Sequence, residues 1–235
     1  MEVKTGQVKA IANLTRSEEG KYWERYNYAV GESTEPGSTF KALTIASALE
    51  HKIARPDTNY YCEHGKLRVE GHTISEAEAK KKFEWLSVTE ILQHSSNVGT
   101  TKIAFDLTYP KLKETLKKFK IGDKTGIELS GESRGIFNDE ENVSPLSLSN
   151  ISFGQGVATT GIQMLAAYSA LSNGGYYIKP TILKRDKDKI AESDKTQIID
   201  FQTSRELKDM LVEAVEDGTG GRAKVNHFTI DAIGR

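Results

Sequence analysis

Ser38 and Lys41 stand three positions apart in the run Glu35-Pro36-Gly37-Ser38-Thr39-Phe40-Lys41. Pro36 and Gly37 break the preceding segment. From there Phe40, Leu43, Ile45, Ala46, Ala48 and Leu49 recur at near-helical intervals, which predicts a helix beginning at Ser38. Residues i and i+3 share a helix face, so the Lys41 amine reaches the Ser38 hydroxyl within the first turn. A serine hydroxyl is a weak nucleophile without an adjacent base. A lysine whose ammonium is destabilised by burial or by a neighbouring cation supplies one. The helix N-terminus adds amide donors and partial positive charge where an oxyanion would form. The ordinary alternative is a serine N-cap with its lysine in solvent, so the pair alone does not assign chemistry.

A second polar cluster is His94-Ser95-Ser96-Asn97-Val98-Gly99, set between a helix carrying Val88, Ile91 and Leu92 and the apolar stretch Ile103-Ala104-Phe105. Ser95 is placed to relay a proton. Asn97 is placed to donate an amide hydrogen to a substrate carbonyl and to accept from Lys41. The ordinary alternative is a helix junction whose serine and asparagine cap the next helix. Cys62 is the only cysteine, which excludes an intrachain disulfide, and its neighbours Tyr60, Tyr61 and Glu63 offer no cationic activation, although His64 is close. His51, His64, His72, His94 and His227 are scattered without metal-ligand spacing, so no metal is expected.

The elements that must position these groups follow from the 235 residues, enough for one large domain or two small ones. Lys+Arg 32 against Asp+Glu 33 gives a net charge of -1 with no basic stripe, which argues against nucleic acid as a partner. Neither a membrane-length apolar run nor a signal peptide is visible. Residues 3–13 read as a hairpin turning at Lys4-Thr5-Gly6, residues 16–31 as a polar loop, and residues 66–70 as a short strand. Residues 75–83 read as a polar helix. Ser87 and Glu90 form a capping-box pattern at the start of another. Residues 112–119, 161–172 and 203–215 read as further helices, closed by Gly122, by Asn173-Gly174-Gly175 and by Gly218. Residues 176–183 are extended, and residues 225–233 return to strand character. Strands at both ends around a helical middle predict an α/β (α+β) fold, with helices packed on an antiparallel sheet assembled from both ends of the chain.

Ser-x-x-Lys followed by Ser-x-Asn opens the motif set of penicillin-binding proteins and serine β-lactamases. The chain resembles the transpeptidase domain of class B penicillin-binding proteins nearly from end to end. The resemblance rests on Glu35–Lys41 (EPGSTFK), Ser95–Gly99 (SSNVG), Lys124–Glu132 (KTGIELSGE), Phe153–Val157 (FGQGV), Asn173–Gly175 (NGG) and Gly218–Gly220 (GTG), in the family's order. It implies a D,D-transpeptidase acting on peptidoglycan stem peptides, acylated by β-lactams and working without a cofactor. Ser38 is then the nucleophile, Lys41 its base, and Ser95 and Asn97 the relay and substrate donor. The family's association with cell division and cell shape implies divisome or elongasome membrane proteins as partners. It also implies a location on the outer (periplasmic) face of the bacterial inner membrane, with the anchor in a longer parent.

The family's third motif, Lys-Thr-Gly on a late strand, occurs here twice in other places, at Lys4-Thr5-Gly6 and Lys124-Thr125-Gly126. Both are read as turns. The matching position is Ala232-Ile233-Gly234-Arg235, with Arg235 in the place of the lysine. By resemblance, Arg235 supplies charge to a substrate carboxylate. The facing strand supplies one oxyanion amide and the Ser38 backbone amide the other. Residues 1–235 are therefore expected to be one transpeptidase domain lacking its C-terminal strands and the parent's N-terminal region. Two rivals remain. A class D-like β-lactamase or β-lactam sensor shares Ser-Thr-Phe-Lys but typically has valine where Asn97 stands. A non-catalytic division scaffold would need none of the four residues.

Overall fold

The computed structural model describes residues 1–138, 140–186 and 190–224. Its centre is a 3₁₀ turn, Gly37–Phe40, running directly into helix α2, Lys41–Glu50. Every residue of α2 from Lys41 to Leu49 is buried. A helix covered on all sides belongs in the middle of a core, and α2 packs against α4 (Asn97–Leu107), α5 (Tyr109–Lys118) and α8 (Phe201–Glu216). Phe40, Leu43, Ile45, Ile91, Ile103, Leu112, Leu116 and Phe119 are wholly buried in this core. α3 (Val88–His94), α6 (Pro145–Ser152) and α7 (Gly161–Ser172) complete the shell, and the single turn α1 (Tyr28–Gly31) leans on α7.

Local chemistry explains most helix boundaries. Ser87 and Glu90 form the expected capping box. α7 has one that the sequence reading overlooked, between Thr160 and Gln163. Ser144 caps α6, with Pro145 at its first position. The helices expected at residues 112–119 and 203–215 are present, each extended by up to three residues at its start.

The strands form four two-stranded antiparallel pairs among the described residues. They are β1 (Thr15–Arg16) with β2 (Tyr22–Trp23), β3 (Asn59–Tyr61) with β6 (Trp85–Ser87), β4 (Lys66–Val69) with β5 (His72–Ser75), and β7 (Tyr176–Ile178) with β8 (Lys195–Gln197). The α/β class is as expected. The opening segment meets the stretch after β7 through a bridge between Gln7 and Thr181, which is parallel where an antiparallel pairing of the chain ends is expected. The strand expected at residues 225–233 lies outside the described residues.

Two local expectations are corrected. The turn at Lys4-Thr5-Gly6 exists, with the Gly6 amide donating to Glu2 O, but residues 8–13 do not pair back as a hairpin. Val8 instead donates to Thr181 O and Thr181 to Gly6 O, because the extended segment after β7 offers a long-range partner. Residues 75–83 are not helical. Their Glu and Lys content favours a helix locally, but Glu76 is drawn into the interior (7 % exposed) and its amide donates to Gly65 O.

Candidate active site

Ser38 and Lys41 lie at the two ends of one 3₁₀ turn. In a 3₁₀ turn positions i and i+3 eclipse each other, a closer register than an α-helix provides. Lys41 Nζ donates to Ser38 Oγ at 3.1 Å, to Ser95 O at 2.6 Å and to Ser95 Oγ at 2.9 Å. Ser38 is exposed, whereas Lys41 is wholly buried. Burial pushes the lysine down from 10.5 to about 8, Glu76 opposes the change, and Lys81 adds to it.

The three N–H donors of an ammonium match these three oxygens. Loss of one proton leaves two N–H groups for the Ser95 oxygens and a lone pair facing Ser38 Oγ. The turn thus holds the charged lysine in place and needs no rearrangement to make it a base.

The turn is itself clamped from below. Gly37 adopts φ 55°, and its amide donates to Gly154 O at 3.0 Å. Gly154 lies so close that a Cβ there would stand 2.2 Å from Gly37 O. Gly156 donates to Glu35 Oε1 at 2.8 Å, and Thr34 bridges Thr159. The Phe153-Gly154-Gln155-Gly156 run, far from Ser38 in sequence, is therefore the floor under the Ser38 turn. Tyr168 Oη adds a bond to Thr39 O at 2.6 Å.

Ser95 is the left-handed C-cap of α3, at φ 56° and ψ 46°. A non-glycine residue there is strained. The strain turns both its carbonyl and its hydroxyl toward Lys41. Ser96 then caps α4 by accepting from the Gly99 amide at 2.9 Å. Gly99 is required because a Cβ would meet Ile91 Cγ1 at 2.5 Å where α4 crosses α3. Asn97 follows as the first residue of α4. Its side-chain amide donates to Ser75 O at 2.8 Å, not to the lysine side of the site.

Ser38, Ser95, Glu76, Glu78, Lys81 and Thr219 line a cleft of about 220 Å³. A larger concavity of about 490 Å³ lies beside Arg16, Glu18 and Trp23, but sets no nucleophile against a neutralisable amine or imidazole. Thr219 reaches the cleft rim through its bonds to Gln93 O, which place Gly218-Thr219-Gly220 against the end of α3. Arg235 lies outside the described residues.

Of the two misplaced Lys-Thr-Gly runs, Lys4-Thr5-Gly6 lies at a turn, whereas Lys124-Thr125-Gly126, expected to be a turn, is an irregular segment just after one. Thr125 and Gly126 amides donate to the Glu132 carboxylate, which closes the Lys124–Glu132 stretch on itself. Cys62 is buried and burial pushes its thiol up to about 11, the opposite of activation. Among the described residues no group of three or more His, Cys, Asp or Glu is placed to hold a metal. Sequence reasoning missed Glu76 and Lys81, which lie in a Glu- and Lys-rich stretch that carries no motif.

Residues 1–232 match the family described as "Penicillin binding protein transpeptidase domain". The chain is 34% identical over 212 residues to stage V sporulation protein D of Bacillus subtilis, covering 87% of this chain and 33% of that protein. It is 30% identical over 191 residues to peptidoglycan D,D-transpeptidase FtsI of Escherichia coli, covering 79% of this chain and 32% of that one. The crystal structure of a peptidoglycan glycosyltransferase from Burkholderia ambifaria superposes with a TM-score of 0.86 at 26% identity, over 97% of this chain and 69% of that one. Penicillin binding protein 3 from Mycobacterium tuberculosis, solved in complex with aztreonam, superposes with a TM-score of 0.77 at 28% identity, over 86% and 48%. The chain thus spans about a third of the length of the curated relatives it matches.

Proposed function

The chain belongs to the penicillin binding protein transpeptidase domain family, and from that membership we propose that it carries the acyl-transfer centre of a peptidoglycan D,D-transpeptidase. The observation that supports this best is the set of three short contacts around Lys41 Nζ, which joins Ser38 to Ser95 across two elements far apart in sequence.

Neutral Lys41 takes the Ser38 proton as Oγ attacks the carbonyl of the penultimate D-Ala of a stem peptide. The tetrahedral oxyanion takes a hydrogen bond from the Ser38 amide at the start of the helical segment. The C–N bond then breaks, and the departing D-Ala amine receives a proton from Lys41 through the Ser95 hydroxyl. An amine of a second stem peptide attacks the acyl ester, loses its proton to the same relay, and returns Ser38 to its hydroxyl form. Asn97 is proposed to bind the substrate carbonyl, and Arg235 to supply the cation for the substrate carboxylate. β-Lactams would acylate Ser38 by the same attack, with the ring amide as the bond that opens. Divisome or elongasome membrane proteins are proposed as partners, and the outer face of the inner membrane as the location. Among the described residues no helix is long and apolar enough to cross a membrane.

Intact-mass measurement after incubation with a penicillin tests the reading. A single stable adduct, absent in Ser38→Ala, is expected. No adduct, or one that survives the substitution, overturns it. Rapid turnover of nitrocefin in place of a stable adduct would assign a β-lactamase instead.

A further inference from the structure

Beneath the Ser95–Asn97 turn lies a buried carboxylate that the acyl-transfer steps above do not use. Glu76, just after β5, accepts from Ser96 Oγ at 2.6 Å and from the Asn97 amide at 2.7 Å. Ser96 is wholly buried. The carboxylate therefore occupies the N-terminal end of α4, where the helix dipole and unpaired amides favour negative charge. The preceding residue, Ser75, holds the Asn97 side chain through its carbonyl. One short segment thus fixes both the backbone and the side chain of Asn97.

The support beneath Glu76 is built at a conformational cost. Glu63, His64 and Gly65 adopt φ of 51°, 50° and 81° in succession. Left-handed backbone is unfavourable for the two non-glycine residues. It lets Gly65 approach so closely that an added Cβ would stand 2.4 Å from Lys81 O and 3.2 Å from Glu76 Cγ. Lys102 of α4 pairs with Glu63 at 2.6 Å and ties this support to the same helix.

We propose that Glu76 is a positioning residue for acyl transfer: its carboxylate fixes the strained Ser95–Asn97 turn and sets the charge that faces Lys41. The claim rests on the acyl-transfer reading for its consequence in catalysis, but its geometry does not depend on that reading. Two charged groups, Glu76 and Lys81, bear on the lysine, and Glu78 and His94 line the same cleft. Glu76 approaches from the segment after β5. Lys81 approaches from the loop before β6, paired with Glu78 at 2.9 Å and donating to His94 O at 3.3 Å. His94 closes α3, its ring stacked on Phe83. Glu76 favours the ammonium form of Lys41, while Lys81 disfavours it. Removing each charge must therefore move Lys41 in opposite directions.

The test combines NMR titration of ε-13C-labelled lysines, with Lys41→Arg used to assign the Lys41 signal, and the pH profile of Ser38 acylation by a fluorescent penicillin. Glu76→Gln is expected to move both the Lys41 titration and the rising limb of acylation downward by roughly one pH unit. It is also expected to lower the high-pH plateau about tenfold or more through the loosened turn. Lys81→Met is expected to move the same limb upward without the plateau loss. The proposal is overturned if Glu76→Gln leaves the Lys41 titration unmoved, moves it upward, or keeps the wild-type plateau. If the titrations move as expected while the wild-type protein forms no adduct, the charge-setting role of Glu76 stands and the acyl-transfer reading fails. Should Glu76→Gln not fold, Glu76→Asp decides: it keeps the charge but draws the carboxylate back from Ser96 Oγ and the Asn97 amide. The acylation plateau is then expected to fall severalfold, and a wild-type plateau overturns the proposal.

Discussion

Lys41→Arg separates charge from proton transfer at one position. Arginine keeps the cation beside Ser38 and Ser95 but does not give up a proton in the accessible pH range. Acylation of Ser38 is expected to fall by at least about 10²-fold in this variant, as read by adduct formation over time. In the wild-type protein the acylation rate should rise with pH through about 8, where buried Lys41 becomes neutral. The same burial sets a stability dependence. The unfolded chain holds this lysine at 10.5 and the folded chain at about 8. Between those values the unfolded state binds more protons, so stability rises with pH across that window. Below pH 8 both states are protonated and the cost of burying the ammonium, about 3 kcal/mol, is fully present. Lys41→Met should therefore be more stable than the wild type at pH 7 and should lose the rise between pH 8 and 10.5, measured by urea denaturation. Ser95→Gly sets two effects against each other. It relieves a left-handed non-glycine residue, worth up to about 1 kcal/mol, but deletes the hydroxyl that accepts from buried Lys41, a loss of about 1–3 kcal/mol. No net gain in stability is therefore expected, and without the relay hydroxyl acylation should slow. An unchanged acylation rate would remove Ser95 from the proton path.

Between elements, close backbone approach decides the geometry of the site. The contact of Gly154 with Gly37 leaves no room for a Cβ, and Gly154 stands at φ 82°. Gly154→Ala should cost about 2–4 kcal/mol and should displace the Ser38 turn, so that acylation slows even in the fraction that remains folded. Thermal melting and acylation per folded molecule distinguish the two effects. The same scale shows what the sequence carried in readable form. The Ser87–Glu90 cap, the glycines closing α7 and α8, and the i to i+3 relation of Ser38 and Lys41 are local, and local backbone chemistry enforces them. The segment 75–83 was misread for the complementary reason. Its composition favours a helix, but burying Glu76 against the Ser96 hydroxyl and the Asn97 amide outweighs weak intrinsic propensity. The opening stretch was misread similarly, because Thr181 is a better partner for Val8 than its own neighbours.

Over the whole molecule, one continuous core built on α2 carries the site. Leu112 and Leu116 of α5 are wholly buried against it, away from the cleft. Leu112→Ala is expected to cost about 2–5 kcal/mol while leaving acylation per folded molecule nearly unchanged, since α5 contributes no residue to the cleft. A proportionate loss of acylation would show that the core transmits its packing to the Ser38 turn. The sequence by itself determined the chemical inventory: a serine with a lysine one turn on, a Ser-x-Asn run, and helices whose starts and stops are written in caps and glycines. These are short-range features, fixed by backbone geometry over a few residues. Only the tertiary structure decided that Ser95 supplies two oxygens to Lys41, that Gly154 forms the floor of the Ser38 turn, and that Glu76 underlies α4. Each of these depends on chain segments brought together by core packing. The burial that makes Lys41 a base is likewise a property of the surrounding helices, which no local pattern around position 41 encodes.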